Sequence, residues 1–342
     1  MKKIIIFLVV SFFMTSCSRN LRKETLFTVT GKIPAANTGL TLIHEHILVD
    51  FIGADSTGYH RWDKSKVIER VLPFLMDAKQ KGVQTIFDCT PAYLGRDPLL
   101  LKELSEKSGI NILTNTGYYG ARDNKYIPRH AVSQTPEEIA KVWIDEFKNG
   151  IEGSGVFPGF IKISVDRSDP LSPIHAKIVK AAAITHKATG LTIVSHTGPD
   201  GPAFAQLAIL KTEGVLPEAF VWTHAQDGTF EGYIKAAKQG AWISLDNLNR
   251  NNIGKPGGID WYVDLLTRLK REKVLHKMLI SHDAGWYDPG KVNGGNFRAF
   301  TELFDYLIPA LKKNGFSQKD IDLLLIKNPQ KAYTLDIRKL KE

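Results

Sequence analysis

His44 and His46 stand two residues apart in the segment Thr41-Leu42-Ile43-His44-Glu45-His46. In an extended strand that spacing sends both imidazoles to one face, where they can share a metal ion. One His-x-His pair is weak evidence alone, but His196, His224 and Asp283 each close a further short apolar run, at residues 191–196, 220–224 and 277–283. Four imidazoles and a carboxylate in one place form a metal-binding donor set that suits zinc, with manganese, cobalt and iron also compatible. Lys162 lies in the apolar stretch Gly159-Phe160-Ile161-Lys162-Ile163, where an ammonium facing a packed interior is costly unless paired or neutralised. A neutral amine can take up carbon dioxide, and the resulting carbamate is an anionic two-oxygen ligand able to bridge two cations. A metal-bound water is acidified, and a nearby carboxylate can take its proton, so the predicted chemistry is hydrolysis.

These residues need elements that bring them together. Eight apolar or β-branched runs, at 40–46, 84–89, 111–116, 159–165, 191–196, 220–224, 241–246 and 277–283, alternate with helical patterns such as 64–81, 136–149, 174–189, 230–239 and 261–271. This rhythm predicts an α/β chain folded as a single-domain (β/α)8 TIM barrel, with the candidate ligands at the C-terminal strand ends where barrel active sites are built. Thr135-Pro136-Glu137-Glu138 has the hydroxyl, proline and carboxylates of a helix start, and Gly82, Gly109, Gly190, Gly214 and Gly240 are placed to end helices. A doubly wound open sheet is disfavoured because no Gly-rich phosphate loop follows the first run. After the eighth run the pattern predicts a long loop over 285–297 and two helices ending near Tyr333.

The first residues follow another logic. Lys2 and Lys3 precede an apolar run from Ile4 to Met14, then Thr15, Ser16 and Cys17. The run is too short for the roughly 20 residues of a transmembrane helix and has the layout of an export signal. Met14-Thr15-Ser16-Cys17 resembles a bacterial lipobox. The expected organisation is a lipoprotein-type signal peptide over 1–17 ending at a lipidated Cys17, a tether and N-terminal segment over 18–38, and the hydrolase barrel over 39–342. The protein would then be exported and anchored to a membrane, with its barrel in the periplasm or on the cell surface. Cys17 and Cys89 are the two cysteines, so no intrachain disulfide framework is available to an exported barrel. The net charge of +9 is spread along the chain without a basic stripe or motif, which argues against nucleic-acid binding. Hydrophobic residues at 43% and charged residues at 24% suit a globular protein with a substantial core.

Taken together, Thr41-Leu42-Ile43-His44-Glu45-His46, Ile161-Lys162, Ser195-His196-Thr197, His224-Ala225-Gln226-Asp227, Ser281-His282-Asp283 and Lys327-Asn328-Pro329 resemble the phosphotriesterase family of the amidohydrolase superfamily. The resemblance runs from Gly39 to about Tyr333. It implies two divalent ions, usually zinc, with His44, His46 and Asp283 on one and His196 and His224 on the other, bridged by carboxylated Lys162 and a hydroxide. Asp283 would be the catalytic base. Thr116-Gly117-Tyr118-Tyr119 resembles the lactonase-like branch, in which a tyrosine, here Tyr119, lies over the metals. Asn247 stands where phosphotriesterases resemble one another in having a proton-relay histidine, although Asp227 matches the relay's other carboxylate. Tyr119, Asp227, Asn247, Arg250 and Trp286 are the pocket candidates. The expected function is metal-dependent hydrolysis of a lactone or carboxylic ester, a small molecule. Phosphotriester hydrolysis is the alternative, then a non-catalytic ligand-binding barrel, and a homodimer is compatible with the resemblance.

The other histidines have plainer roles. His282 adjoins Asp283, so alternation turns it away from the barrel axis into the packed layer. His175, His186 and His276 fall in helical stretches, and His60 and His130 in loops. Cys89 ends the second run as a small buried hydrophobe.

Overall fold

The computed structural model describes residues 24–340, and the lipobox-like segment ending at Cys17 lies outside them. The chain starts with an antiparallel hairpin of β1 (Thr25–Thr28) and β2 (Gly31–Pro34). There follow β3 (Thr41–Leu48), β4 (Thr85–Asp88), β5 (Asn111–Leu113), β6 (Asn115–Thr116), β7 (Phe160–Ser164), β8 (Ile193–His196), β9 (Phe220–Thr223), β10 (Trp242–Leu245), β11 (Met278–Ile280) and β12 (Gly285–Tyr287). They form two sheets, ordered β12-β3-β4-β5 and β11-β10-β9-β8-β7-β6, with parallel pairings throughout. Between strands run α1 (Lys64–Gln80), α2 (Pro98–Ser108), α3 (Arg129–Ser133), α4 (Pro136–Asn149), α5 (Pro173–Thr189), α6 (Asp200–Thr212), α7 (Phe230–Gln239) and α8 (Ile259–Arg271). The chain ends on α9 (Ile308–Lys313), α10 (Gln318–Asp322) and α11 (Asn328–Tyr333). Among the described residues no helix is long and apolar enough to cross a membrane.

The two sheets meet at two places. β5 and β6 are separated only by Thr114, whose carbonyl accepts the Gly159 amide, so one run pairs with β4 on one side and β7 on the other. At the opposite margin β11 leads through residues 281–284 into β12. There the Asp283 amide donates to the His44 carbonyl at 3.0 Å and the His46 amide to the Ala284 carbonyl at 2.8 Å, while β11 pairs with β10. β12 was expected as loop. Gly285 makes the strand possible: its φ is +96°, and a Cβ there would lie 1.9 Å from the His46 carbonyl oxygen, so only glycine lets the segment lie against β3.

Every residue of β3 and β7 is buried, as expected where parallel strands are covered on both faces. One core cluster lies between strands and helices, and a smaller one takes the other strand face, with Ile43, Phe87, Leu113, Phe160, Val194, Val221, Trp242 and Leu279. Leu26 of the hairpin and Tyr333 of α11 join the smaller cluster, with the Phe87 and Tyr333 rings 4.4 Å apart. Residues 25–34 are therefore part of the packed fold, although polar neighbours gave that segment the look of a tether. Thr135 and Glu138 form the reciprocal capping box of α4, and Gly109 and Gly190 end α2 and α5 in the left-handed conformation.

Candidate metal centre

Strand alternation carries the site. Phe160 and Lys162, Val194 and His196, and Leu279 and Asp283 share parity, so the side chains that fill the inner cluster are followed on the same face by polar ones. β3 achieves this by a register shift between Leu42 and Glu45, which lets Ile43 join the inner cluster while His44 and His46 still face the cavity. His224 and Asp283 are re-aimed by left-handed backbone at φ 55° and 52°. Such conformations cost about 1–3 kcal/mol in non-glycine residues and concentrate at functional sites.

His44, His46, Lys162, His196, His224 and Asp283 line one cavity of about 410 Å³, together with Val49, Leu94 and Tyr126. His46 Nε2 is 3.1 Å and His44 Nε2 3.8 Å from Asp283 Oδ1, and Lys162 Nζ is 3.3 Å from His44 Nε2. Nitrogen and oxygen atoms of His44, His46 and Asp283 lie within 4.8 Å of one another, the spacing of donors around a cation.

The backs of the rings are held. His44 Nδ1 meets Asp246 Oδ2 at 2.9 Å, His224 Nδ1 meets Asp246 Oδ1 at 2.8 Å, and His46 Nδ1 meets Thr90 Oγ1 at 2.8 Å. Each of the three imidazoles therefore keeps its Nε2 for the cavity, the arrangement in which a second partner fixes the tautomer of a metal ligand. Asp246 was not among the residues singled out from sequence. It also receives the Ser244 hydroxyl and the His224 amide, so it acts as a buried clamp between two rings, even though it too lies near enough to His44 and His224 to be counted with them as donors. Its position at the end of the seventh run, with the parity of Trp242, was the signal that could have found it.

The electrostatics agree with this division. Burial, with Lys162 adding, lowers His44 to about 4, and burial holds His196 well below the usual imidazole range. Burial also pulls His224 down, but Asp246 outweighs it and leaves that ring raised. Burial would raise Asp283, yet the His46 hydrogen bond and the charges of His44 and His224 carry it below the carboxylate range, and His224 and His44 do the same for Asp246. The lowered His44 and His196 and the ionised Asp283 are in the protonation states that metal binding requires, while a cation on His224 would displace the proton that Asp246 favours there, so the donor set fits divalent cations.

Tyr119 and Trp286 are also in the cavity lining. The Tyr119 hydroxyl is 2.9 Å from His196 Nδ1, and the Trp286 ring meets the His46 ring edge-on at 5.8 Å. Asp227, Asn247 and Arg250 are not in that lining. Asn247 has the parity opposite to Asp246. Asp227 is bound by Arg167, and Arg250 turns to Glu302 and the Tyr306 ring. His282 is fully buried between Glu45 Oε1, at 2.7 Å, and the Leu303 amide.

Parallel strands that present imidazoles, a lysine and a carboxylate to one cavity define an α/β enzyme of metal-binding type. The chain belongs to the phosphotriesterase family, whose model matches residues 24–333, and it is a hydrolase. It is 28% identical over 302 residues to a phosphotriesterase homology protein of Escherichia coli (strain K12), covering 86% of this chain and 98% of that one. It is 30% identical to an aryldialkylphosphatase of Saccharolobus solfataricus over 88% of this chain and 97% of the relative. An N-acetyltaurine hydrolase of Xenopus tropicalis is 24% identical over 90% and 97% of the two chains.

Proposed function

We propose that the two sheets close into one (β/α)8 barrel and that its mouth hydrolyses a lactone or carboxylic ester with two divalent ions. The double pairing of residues 111–116 and of residues 278–287 supports the closure. His44, His46 and Asp283 would hold one ion and His196 and His224 the other, with Lys162 as its carbamate between them. When bound, the ions supply an acidified water and polarise the acyl oxygen.

The chain's own groups do the rest. Asp283, ionised and opening onto the cavity, accepts the proton of the attacking water. Tyr119, whose phenol burial keeps protonated, remains a hydroxyl donor beside His196. That hydroxyl is the observation that carries the preference for an acyl substrate, because it offers a hydrogen bond to an ester oxygen next to the ligands. Apolar walls from Val49, Leu94 and Tyr126 suit a small organic ester. The placement of Asn247 outside the cavity lining favours the same reading, since no relay histidine reaches Asp283 from that position.

The aryldialkylphosphatase and N-acetyltaurine hydrolase relatives supply rival reactions, on phosphotriesters and on amides. A hydrolysis screen of the metal-loaded protein with lactones, carboxylic esters, amides and phosphotriesters decides among them. Activity confined to phosphotriesters or amides would overturn the acyl-ester reading. We also propose export and membrane anchoring through Cys17, which Cys17→Ser should convert to a soluble or uncleaved form. Recovery of wild-type protein wholly in the soluble fraction would refute the anchor.

A further inference from the structure

Tyr119 and Tyr126 form an antiparallel bridge, their rings 5.7 Å apart edge to face, and the chain between them turns back over the cavity. Three consecutive residues of that turn, Arg122, Asp123 and Asn124, are left-handed at φ 66°, 54° and 63°. Such a run persists only where the surroundings impose it. On one side the Ala121 amide donates to Ser164 Oγ and the Arg122 amide to Asp166 Oδ1, both at 2.8 Å. On the other the Ala54 amide donates to the Lys125 carbonyl at 3.0 Å, and Lys125 Nζ to the Phe51 carbonyl at 2.7 Å. The turn is thus tied to the end of β7 and to the loop after β3.

Both long cations of this turn line the cavity that holds the candidate ligands, and Asp283 is the one carboxylate in that lining. Several arginines elsewhere meet acids, Arg61 with Asp50, Arg96 with Glu146, Arg129 with Asp55 and Arg167 with Asp227 among them. Among the described residues Arg122 and Lys125 have no carboxylate within 4.0 Å. A guanidinium fork and an ammonium, held by a constrained backbone and facing a partly apolar cavity, are the components of a site for a planar oxyanion.

We propose that Arg122 and Lys125 form an anion-recognising arm, and that the natural substrate bears a carboxylate remote from the bond that is broken. This deepens the ester reading above, but recognition of the anion does not depend on turnover. The acyl group would lie beside Asp283 and Tyr119, and the remote carboxylate would reach the turn.

The test compares two five-carbon probes on the metal-loaded protein, glutarate and pentanoate, which share one carboxylate and differ in the second. Isothermal titration at low salt should show glutarate binding about ten- to a hundredfold more tightly, the range of one to two charge-assisted hydrogen bonds. Arg122→Gln and Lys125→Gln should each bring the ratio towards one, and added salt should shrink it in the wild type. Thermal unfolding of each variant reports whether the turn is kept. Equal affinity for the two probes in the wild type, or a ratio unchanged in both variants, would overturn the arm. Turnover of the 4-nitrophenyl monoester of glutarate against 4-nitrophenyl pentanoate adds a separate reading, in which the preference should appear in KM more than in kcat. Failure to hydrolyse either ester, with the binding ratio intact, would refute the ester reading and leave the arm standing. Hydrolysis of both with equal kcat/KM would refute the arm.

Discussion

Asp246 and Asp283 are both carboxylates kept ionised by imidazoles, yet only one has capacity to spare. Asp246 is fully buried, and two rings, a hydroxyl and an amide occupy its oxygens. Asp283 opens onto the cavity, with 15% of its side chain exposed. It is therefore the group we propose takes a proton during attack. Asp283→Asn keeps the shape and a coordinating oxygen but loses the basic lone pair, and turnover should fall by about 10² to 10⁴-fold while the fold and most of the metal remain. Metal analysis alongside kcat makes this decisive: near wild-type turnover with two ions would move the base elsewhere. Lys162 should behave differently. It is 1% exposed and 3.3 Å from His44 Nε2, so Lys162→Ala deletes the proposed bridging anion, and metal content and activity should drop together. A variant that retained both ions and full turnover would exclude the carbamate.

At the level of elements, the least obvious requirement is the margin where β3 meets residues 281–287. Glu45 sits between two candidate ligands but points away from them. Its carboxylate receives the Ser281 hydroxyl, the His282 amide and ring, and the Ala284 amide, at 2.7–3.1 Å. Glu45→Ala would strand these buried donors and is expected to destabilise the protein by roughly 3–5 kcal/mol, measured by denaturant unfolding. A loss below about 1 kcal/mol would mean that the backbone bonds alone hold the margin. The same residues show what a sequence can and cannot reveal. His44, His46, His196, His224 and Asp283 are legible because few residue types bind metal and each lies within or just after a short apolar run. The outward turn of His282 follows from alternation. Its pairing with Glu45 does not, because the partners are 237 residues apart and only the meeting of β3 with residues 281–287 joins them. The Asp246 clamp is concealed in the same way, by a separation of 202 residues from His44. β12 is hidden for another reason, since its pairing depends on one glycine and not on a periodic pattern. Arg122 and Lys125 lie in a turn, where no period marks which way a side chain faces.

Across the whole molecule the candidate ligands come from both sheets. His44 and His46 belong to β3 of the four-stranded sheet, whereas Lys162 and His196 lie on β7 and β8 of the six-stranded one, with His224 just after β9. Ions held by this set would tie the two sheets at the mouth, while the cluster around Phe87, Phe160 and Tyr333 ties them at the other end without metal. The apoprotein should therefore fold, but less stably. A ligand that binds only the folded state stabilises it by RT ln(1 + [L]/Kd), about 2.7 kcal/mol at a hundredfold excess over Kd. With an unfolding entropy of about 2.1 cal/mol/K per residue, each kcal/mol moves the Tm of a chain of this size by roughly 1.5 °C. Chelation should accordingly lower Tm by about 4 °C for each ion lost, and zinc should restore it. His196→Ala, which removes one ligand from the six-stranded sheet, should show a smaller difference between the chelated and zinc-loaded forms. If chelation strips the metal, as metal analysis would show, and Tm does not move, then the ions bear on chemistry alone and the two sheets are joined entirely by their own packing and hydrogen bonds.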